Sequence, residues 1–110
     1  AGLEAMLDLR RKNPDVTAIV CNGDMVALGA CLALQRTGLT PGKDLSVIGF
    51  DNIQDAAVAT PPLTTMAVSP HKLGRKLAQV MLDRIREPDM PITVSEISAE
   101  PIIRETTAPP

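Results

Sequence analysis

The sequence predicts an α/β fold with a Rossmann-like parallel sheet, and three observations carry that reading. The stretch DLSVIGFDN, residues 44–52, places Leu45, Val47, Ile48 and Phe50 in a short apolar run rich in β-branched residues, bounded by the turn-like TPGKD and by polar residues. Such a run reads as a strand, and its continuous apolarity predicts cover on both faces, as in parallel sheets flanked by helices. A second run, TAIVC at 17–21, reads as another buried strand, and the apolar stretch MVALGACLALQR at 25–36 lies between the two. Strand, helix and strand in this order imply parallel strands joined by a right-handed crossover. Asp51 follows the first of these runs directly, at the carboxyl end of its strand. That end is the rim where open α/β sheets bind ligands.

Taken in order, Gly2 to Lys12 places Leu3, Met6, Leu7 and Leu9 near one face and gathers Arg10, Arg11 and Lys12 in the last turn. Cations there favour the negative helix end, so this is an amphipathic helix, stopped by Asn13, Pro14 and Asp15. Asn22, Gly23 and Asp24 form a tight turn after the TAIVC strand, with Asp24 suited to cap the next helix. Gly38 can close that helix in a left-handed conformation.

Apolar residues surround nearly the whole circumference of the 25–36 helix, whereas a surface helix shows one stripe. A second side must therefore be covered, by another part of the chain or by another subunit, and Leu28 and Leu32 at i and i+4 could form it. NIQDAAVA at 52–59 suits a short helix, ended by Pro61 and Pro62, and LTTMAV at 63–68 a short strand. Pro70 to Arg86 is the clearest helix. Ser69 can cap it, Pro70 suits its first turn, and Leu73, Leu77, Val80, Met81 and Ile85 make its apolar stripe. From Thr93 to Arg104 weak alternation interrupted by Pro101 predicts two short strand pieces, followed by a loose proline-ending tail. About four strands result, and the Pro70–Arg86 helix has no obvious sheet to cover. The sequence thus resembles the end of a larger protein.

Composition narrows the chemistry. The chain has 110 residues, 45% of them hydrophobic, so one domain with a core is expected rather than disorder. With one Phe and no Tyr or Trp, that core is aliphatic, and any ligand stacked between rings needs rings from elsewhere. The net charge of −2 comes from interspersed acids and bases, unlike the clustered basic surface that binds phosphate backbones. No apolar run approaches the ~18 residues of a membrane span, and no signal-type start is seen, so a cytoplasmic setting is expected.

Cys21 and Cys31 lie outside any CxxC pattern and read as free thiols; His71 has no ligand-spaced partners, so no metal site and no cofactor are expected. Neither nucleotide-binding glycine fingerprint nor a GxSxG elbow is present, and no nucleophile stands near His71. An enzyme is not expected. The remaining candidates are Asp51 on one strand tip and Asn22 with Gly23 on another, which share a rim if the strands are parallel neighbours. A carboxylate there can accept hydrogen bonds from hydroxyls or basic groups, and Gly23 permits close approach. Asp51 could equally serve only to cap the segment after it.

The ordered set CNGDMVALGA, RTGLTPGKDLSVIGFDN and PPLTTMAVSPHKLGRKLAQVMLDRI resembles the carboxyl-terminal third of a LacI/GalR-family transcriptional regulator, over nearly the whole chain. PPLTT followed by a helix carrying LG and ending LDRI is more typical of these repressors than of the alternative, a periplasmic sugar-binding component of a transporter. The resemblance implies a periplasmic-binding-protein-like fold of two α/β lobes with an effector between them, incomplete in these residues. It implies that residues 1–67 belong to the carboxyl-terminal effector-binding lobe, that 68–91 form a helix packing in the other lobe, and that 92–110 are returning strand segments and tail. A homodimer is implied, with operator DNA bound through an amino-terminal domain outside this chain.

Residue by residue, the resemblance makes Asp51 an effector contact. It sets Gly23 where sugar-responsive members often carry Asn, and Val68 where a galactoside-responsive member has a polar residue, which thins the polar lining. A purine-responsive member resembles this chain at Gly23. Leu28, Val58 and Ala59 match dimer-interface positions, which with Leu32 turns the exposed side of the 25–36 helix toward a subunit contact. The implied effector is a sugar or related metabolite.

Overall fold

The structure, a computed structural model, describes residues 1–109. The chain divides into two units, the first holding residues 1–67 and the segment from Glu100 onward, the second Val68–Ala99.

The first unit opens with α1 (Gly2–Lys12), β1 (Ala18–Val20), α2 (Asp24–Arg36), β2 (Ser46–Phe50), α3 (Gln54–Val58) and β3 (Thr64–Ala67). The chain leaves this unit after β3 and returns as β4 (Glu100–Ile102). The sheet has the order β1-β2-β3-β4, its first two pairings parallel and the last antiparallel. This is the α/β, mostly parallel architecture that the strand–helix–strand alternation predicts.

Glycines bring α1 and α2 together. A Cβ on Gly2 would lie 2.3 Å from Val26 O, an overlap only glycine avoids, and one on Gly29 would lie 3.0 Å from Leu3 N and 3.2 Å from Gly2 Cα, tight enough to push the helices slightly apart. α1 thereby covers a second side of α2, answering part of the demand set by that helix's all-round apolarity. One core joins Met6 of α1, Ala27, Ala30, Cys31, Ala33 and Leu34 of α2, Leu45 and Val47 of the β2 segment, Ala56 and Leu63. After α2, Thr37 and the left-handed Gly38 (φ +80°) end the helix as expected.

Four expectations need correction. The β2 run is not covered equally on both faces: Leu45, Val47 and Gly49 are buried while Ser46 and Ile48 are half-buried and Phe50 is exposed, so burial alternates with the pleat. β1 is not a buried strand, because among the described residues it pairs only with β2 and stands at the sheet edge, leaving Val20 79% exposed. Thr93–Arg104 yields one strand rather than two, and Pro101 lies inside it. Proline is tolerated there because β4 is the other edge strand and needs no ladder donor on its outer side.

The tail is not loose through residue 108. Thr106 is fully buried; its Oγ1 accepts from Thr64 N–H at 2.9 Å and donates to Val47 O at 2.7 Å, while its carbonyl accepts from Val47 N–H at 2.8 Å. Ala108 exchanges hydrogen bonds with Ser46. These partners satisfy strand-end backbone groups that would otherwise be buried unpaired.

The second unit contains α4 (Pro70–Arg86) with the bounds the sequence predicts. Ser69 Oγ accepts from Lys72 N–H at 3.3 Å, and Pro70 occupies the first turn. The Arg84 guanidinium donates to Pro88 O at 3.1 Å and Pro91 O at 3.3 Å, fixing the following turn. Leu77, Met81 and Ile85 of the predicted stripe are exposed.

Candidate ligand-binding rim

Parallel pairing in the register Ala18↔Ser46 to Val20↔Ile48 carries the ends of β1 and β2 to one rim. Asn22 and Gly23 follow β1 there, and Asp51 follows β2. The sequence-predicted trio is therefore brought together: a Cβ built on Gly23 would lie 3.5 Å from Asp51 Oδ2. Asp51 and Asn22 are exposed, free to meet a solute. Gly23 itself is extended (φ −172°, ψ 155°), a conformation open to any residue; glycine here keeps the space beside Asp51 empty rather than relieving strain.

The turn that carries Asp51 is unusual. Asp51 (φ +108°) and Asn52 (φ +54°) are consecutive non-glycine residues in the positive-φ region, a conformation that costs of order 1–3 kcal/mol and persists where the surroundings over-determine it. Three successive backbone donors supply that determination. Asp51 N–H donates to Met66 O at 2.9 Å, Asn52 N–H to Thr65 Oγ1 at 3.4 Å, and Ile53 N–H to Asp24 Oδ2 at 2.9 Å. From the other side, Arg104 donates to Asn52 Oδ1 at 2.8 Å and to Leu63 O at 2.7 Å. Asp51 thus does not serve as a helix cap: the residue preceding α3 is Ile53, with no side-chain cap bond.

Asp24 corrects a further expectation. It is not the cap of α2; Gly23 holds that position, and Asp24 is the first helical residue. Its side chain turns into the sheet, 1% exposed, where Oδ1 accepts from Thr65 Oγ1 at 2.6 Å and Oδ2 from Ile53 N–H. Gly49 makes room for it, since a Cβ there would lie 2.1 Å from Asp24 Oδ1 and 3.1 Å from Leu63 Cδ2. Asp24, Thr65 and Arg104 were not legible as rim residues, because their rim partners lie 13 or more positions away in sequence; Gly49 near the end of β2, two residues before Asp51, was the one local hint.

The apolar positions expected at a subunit contact fall on α2, on α3 and on the residue that caps α3, Ala59. Leu32 is 42% and Val58 74% exposed, while Leu28 and Ala59 are half-buried, Leu28 resting on the core. Gln35 Nε2 donates to Thr60 O at 2.7 Å and ties the end of α2 to the residues after α3.

Little else in the unit offers reactive chemistry. Both thiols are free; burial pushes the Cys21 thiol up and the Cys31 thiol up to about 11, with Cys21 adding to the latter shift. Thiols so shifted are poor nucleophiles at neutral pH. Among the described residues no group of three or more His, Cys, Asp or Glu could hold a metal ion, and no helix is long and apolar enough to cross a membrane. What the rim can do is accept hydrogen bonds at a pre-set carboxylate with open space beside it.

Residues 1–107 match the family model described as the periplasmic binding protein-like domain. The HTH-type transcriptional repressor PurR of Actinobacillus pleuropneumoniae serotype 3 (strain JL03) is 43% identical over 86 residues, which cover 78% of this chain and 26% of the relative. Among solved structures, a complex of the transcriptional regulator CelR with cellobiose aligns with a TM-score of 0.88 at 28% identity, over 96% of this chain and 32% of that one. The lac repressor dimer bound to operator and the anti-inducer ONPF aligns with a TM-score of 0.85 at 27% identity, over 96% of this chain and 37% of the repressor. The chain spans about a quarter of the first relative and about a third of each of these structures. It belongs to the periplasmic binding protein-like family, and within it resembles part of an effector-binding domain of the LacI/GalR type.

Proposed function

We propose that the chain is the effector-sensing and dimerisation part of a LacI/GalR-like transcriptional repressor acting in the cytoplasm. A small molecule, a sugar or related metabolite, binds in the cleft of the whole regulator with Asp51, Gly23 and Asn22 on one wall. The observation that supports this most directly is the Asp51 carboxylate held beside the vacant space at Gly23, on the carboxyl rim of a parallel sheet. Hydroxyl groups of a sugar, or ring N–H groups of a purine base, suit such an acceptor. The protein binds rather than catalyses, and operator DNA is held by a domain outside this chain.

Regulation requires that the effector bind two states of the regulator with different affinity, shifting the population that holds operator. Subunits meet through Leu28, Leu32, Val58 and Ala59. Covering the two most exposed of these removes apolar surface from water, at about 25 cal/mol per Å².

The test is electrophoretic mobility of operator DNA with the whole regulator, with added D-ribose, cellobiose or a purine base. Effector-dependent change in DNA retention by one of these supports the reading. Whole protein that carries no DNA-binding activity, yet binds a sugar, would instead favour a transport component.

A further inference from the structure

We infer that Asp24 is a positioning residue for the ligand rim: through Thr65 and the Ile53 amide it holds the Asp51–Asn52 turn in its positive-φ form and so aims the Asp51 carboxylate across Gly23. The inference rests on the reading of Asp51 as an effector contact and adds a residue that does not itself touch effector.

Asp24 is a buried acid without a lysine or arginine partner in the described ion pairs, all of which involve exposed groups around α1. Its position therefore depends on the hydrogen bonds it accepts. Both come from elements of the rim: the hydroxyl of Thr65 on β3, and the first backbone donor after the left-handed pair. Thr65 has one hydroxyl proton. With 2.6 Å to Asp24 Oδ1 against 3.4 Å to Met66 O, that proton goes to the carboxylate, leaving an oxygen lone pair to accept Asn52 N–H. Asp24 thus fixes the hydroxyl's direction, the hydroxyl receives the amide of Asn52, and the second carboxylate oxygen receives the amide of Ile53.

Release of those two amides lets Asp51 and Asn52 relax toward ordinary φ values. That rotation moves the Asp51 carboxylate off the Gly23 side of the rim. Gly49 belongs to the same device, because any larger residue would displace Asp24.

The test uses the whole regulator with Thr65→Val, which removes the hydroxyl at nearly constant volume, Thr65→Ser, which keeps it, and Asp24→Asn. Residue-resolved amide hydrogen exchange without added ligand should show the Asn52 and Ile53 amides exchanging about ten-fold faster in Thr65→Val, as expected for loss of one buried hydrogen bond. Thr65→Ser should restore protection, and the Cys21 amide, bonded to Ile48 O, should be unchanged in all variants. Uniform acceleration across the sheet, or unchanged Ile53 exchange, would overturn the inference.

Calorimetric titration with D-ribose and cellobiose supplies the second arm. Thr65→Val should weaken binding at least five-fold, and add nothing in an Asp51→Asn background. Equal losses in both backgrounds would show a merely structural role and contradict the positioning. If Asp51→Asn alone leaves binding intact, the effector role of Asp51 fails and this inference falls with it. A regulator that binds neither sugar counts against the sugar reading, and the exchange arm alone then decides the positioning.

Discussion

Thr65 Oγ1 donates to Asp24 Oδ1 at 2.6 Å inside the sheet, joining the start of α2 to the middle of β3 beneath the turn that presents Asp51. The bond is possible because β2 carries Gly49 between them; no other residue type fits against Asp24.

Gly49→Ala should therefore destabilise the protein by about 2 kcal/mol or more, because the added methyl overlaps a buried carboxylate that has no alternative partner. Denaturant unfolding of the whole protein measures this. A loss below about 0.5 kcal/mol would mean that Asp24 relocates easily and is not fixed as described.

Gly23→Asn should leave stability within about 0.5 kcal/mol, because the backbone is ordinary extended chain and the first added atom meets Asp51 Oδ2 at 3.5 Å, a normal contact. Effector preference should change instead, since the amide fills the space beside Asp51 and offers new donors. Ligand titrations of both proteins across the same sugars and purine bases would reveal it; identical profiles would remove Gly23 from the site.

Cys31 holds its proton up to about pH 11 in the folded chain, against an ordinary thiol value of 9.0, because burial disfavours the thiolate. The folded state then binds more protons than the unfolded state between those values. The associated stability is present in full below pH 9 and is lost as the pH rises from 9 toward about 11. Denaturant midpoints should fall over that interval, and less so in Cys31→Ala. Equal falls in both proteins would contradict the assignment.

Val58→Lys should weaken self-association of the whole regulator at least ten-fold while leaving the fold intact, since the side chain is 74% exposed in the single chain and costs nothing to charge there. A lysine in an apolar subunit contact must be desolvated. Sedimentation equilibrium gives the dissociation constant; an unchanged value removes Val58 from the interface.

The sequence made the local parts of this structure legible. α1 and α4 were bounded correctly because caps, proline and terminal charges act within a turn. β2 and the shared rim followed from one apolar run and the crossover rule. What stayed hidden was non-local polar pairing. An aspartate after Asn-Gly reads as a helix cap, and nothing nearby shows that Asp24 turns inward to Thr65. Threonines 106 and 107 read as tail until their partners at Val47 and Thr64 are seen. Edge status likewise depends on neighbours, so β1 read as buried although among the described residues it pairs with β2 alone.

The most direct measurement of the central claim is effector response in Asp51→Ala of the whole regulator, read as operator retention against concentration of whichever tested sugar or purine base acts on the unaltered protein. Asp51→Ala should shift the half-maximal concentration upward at least ten-fold, the loss of about 1.4 kcal/mol expected for a charge-assisted hydrogen bond, with effector-free operator affinity nearly unchanged. A superimposable response curve would contradict the assignment of Asp51 as the effector contact.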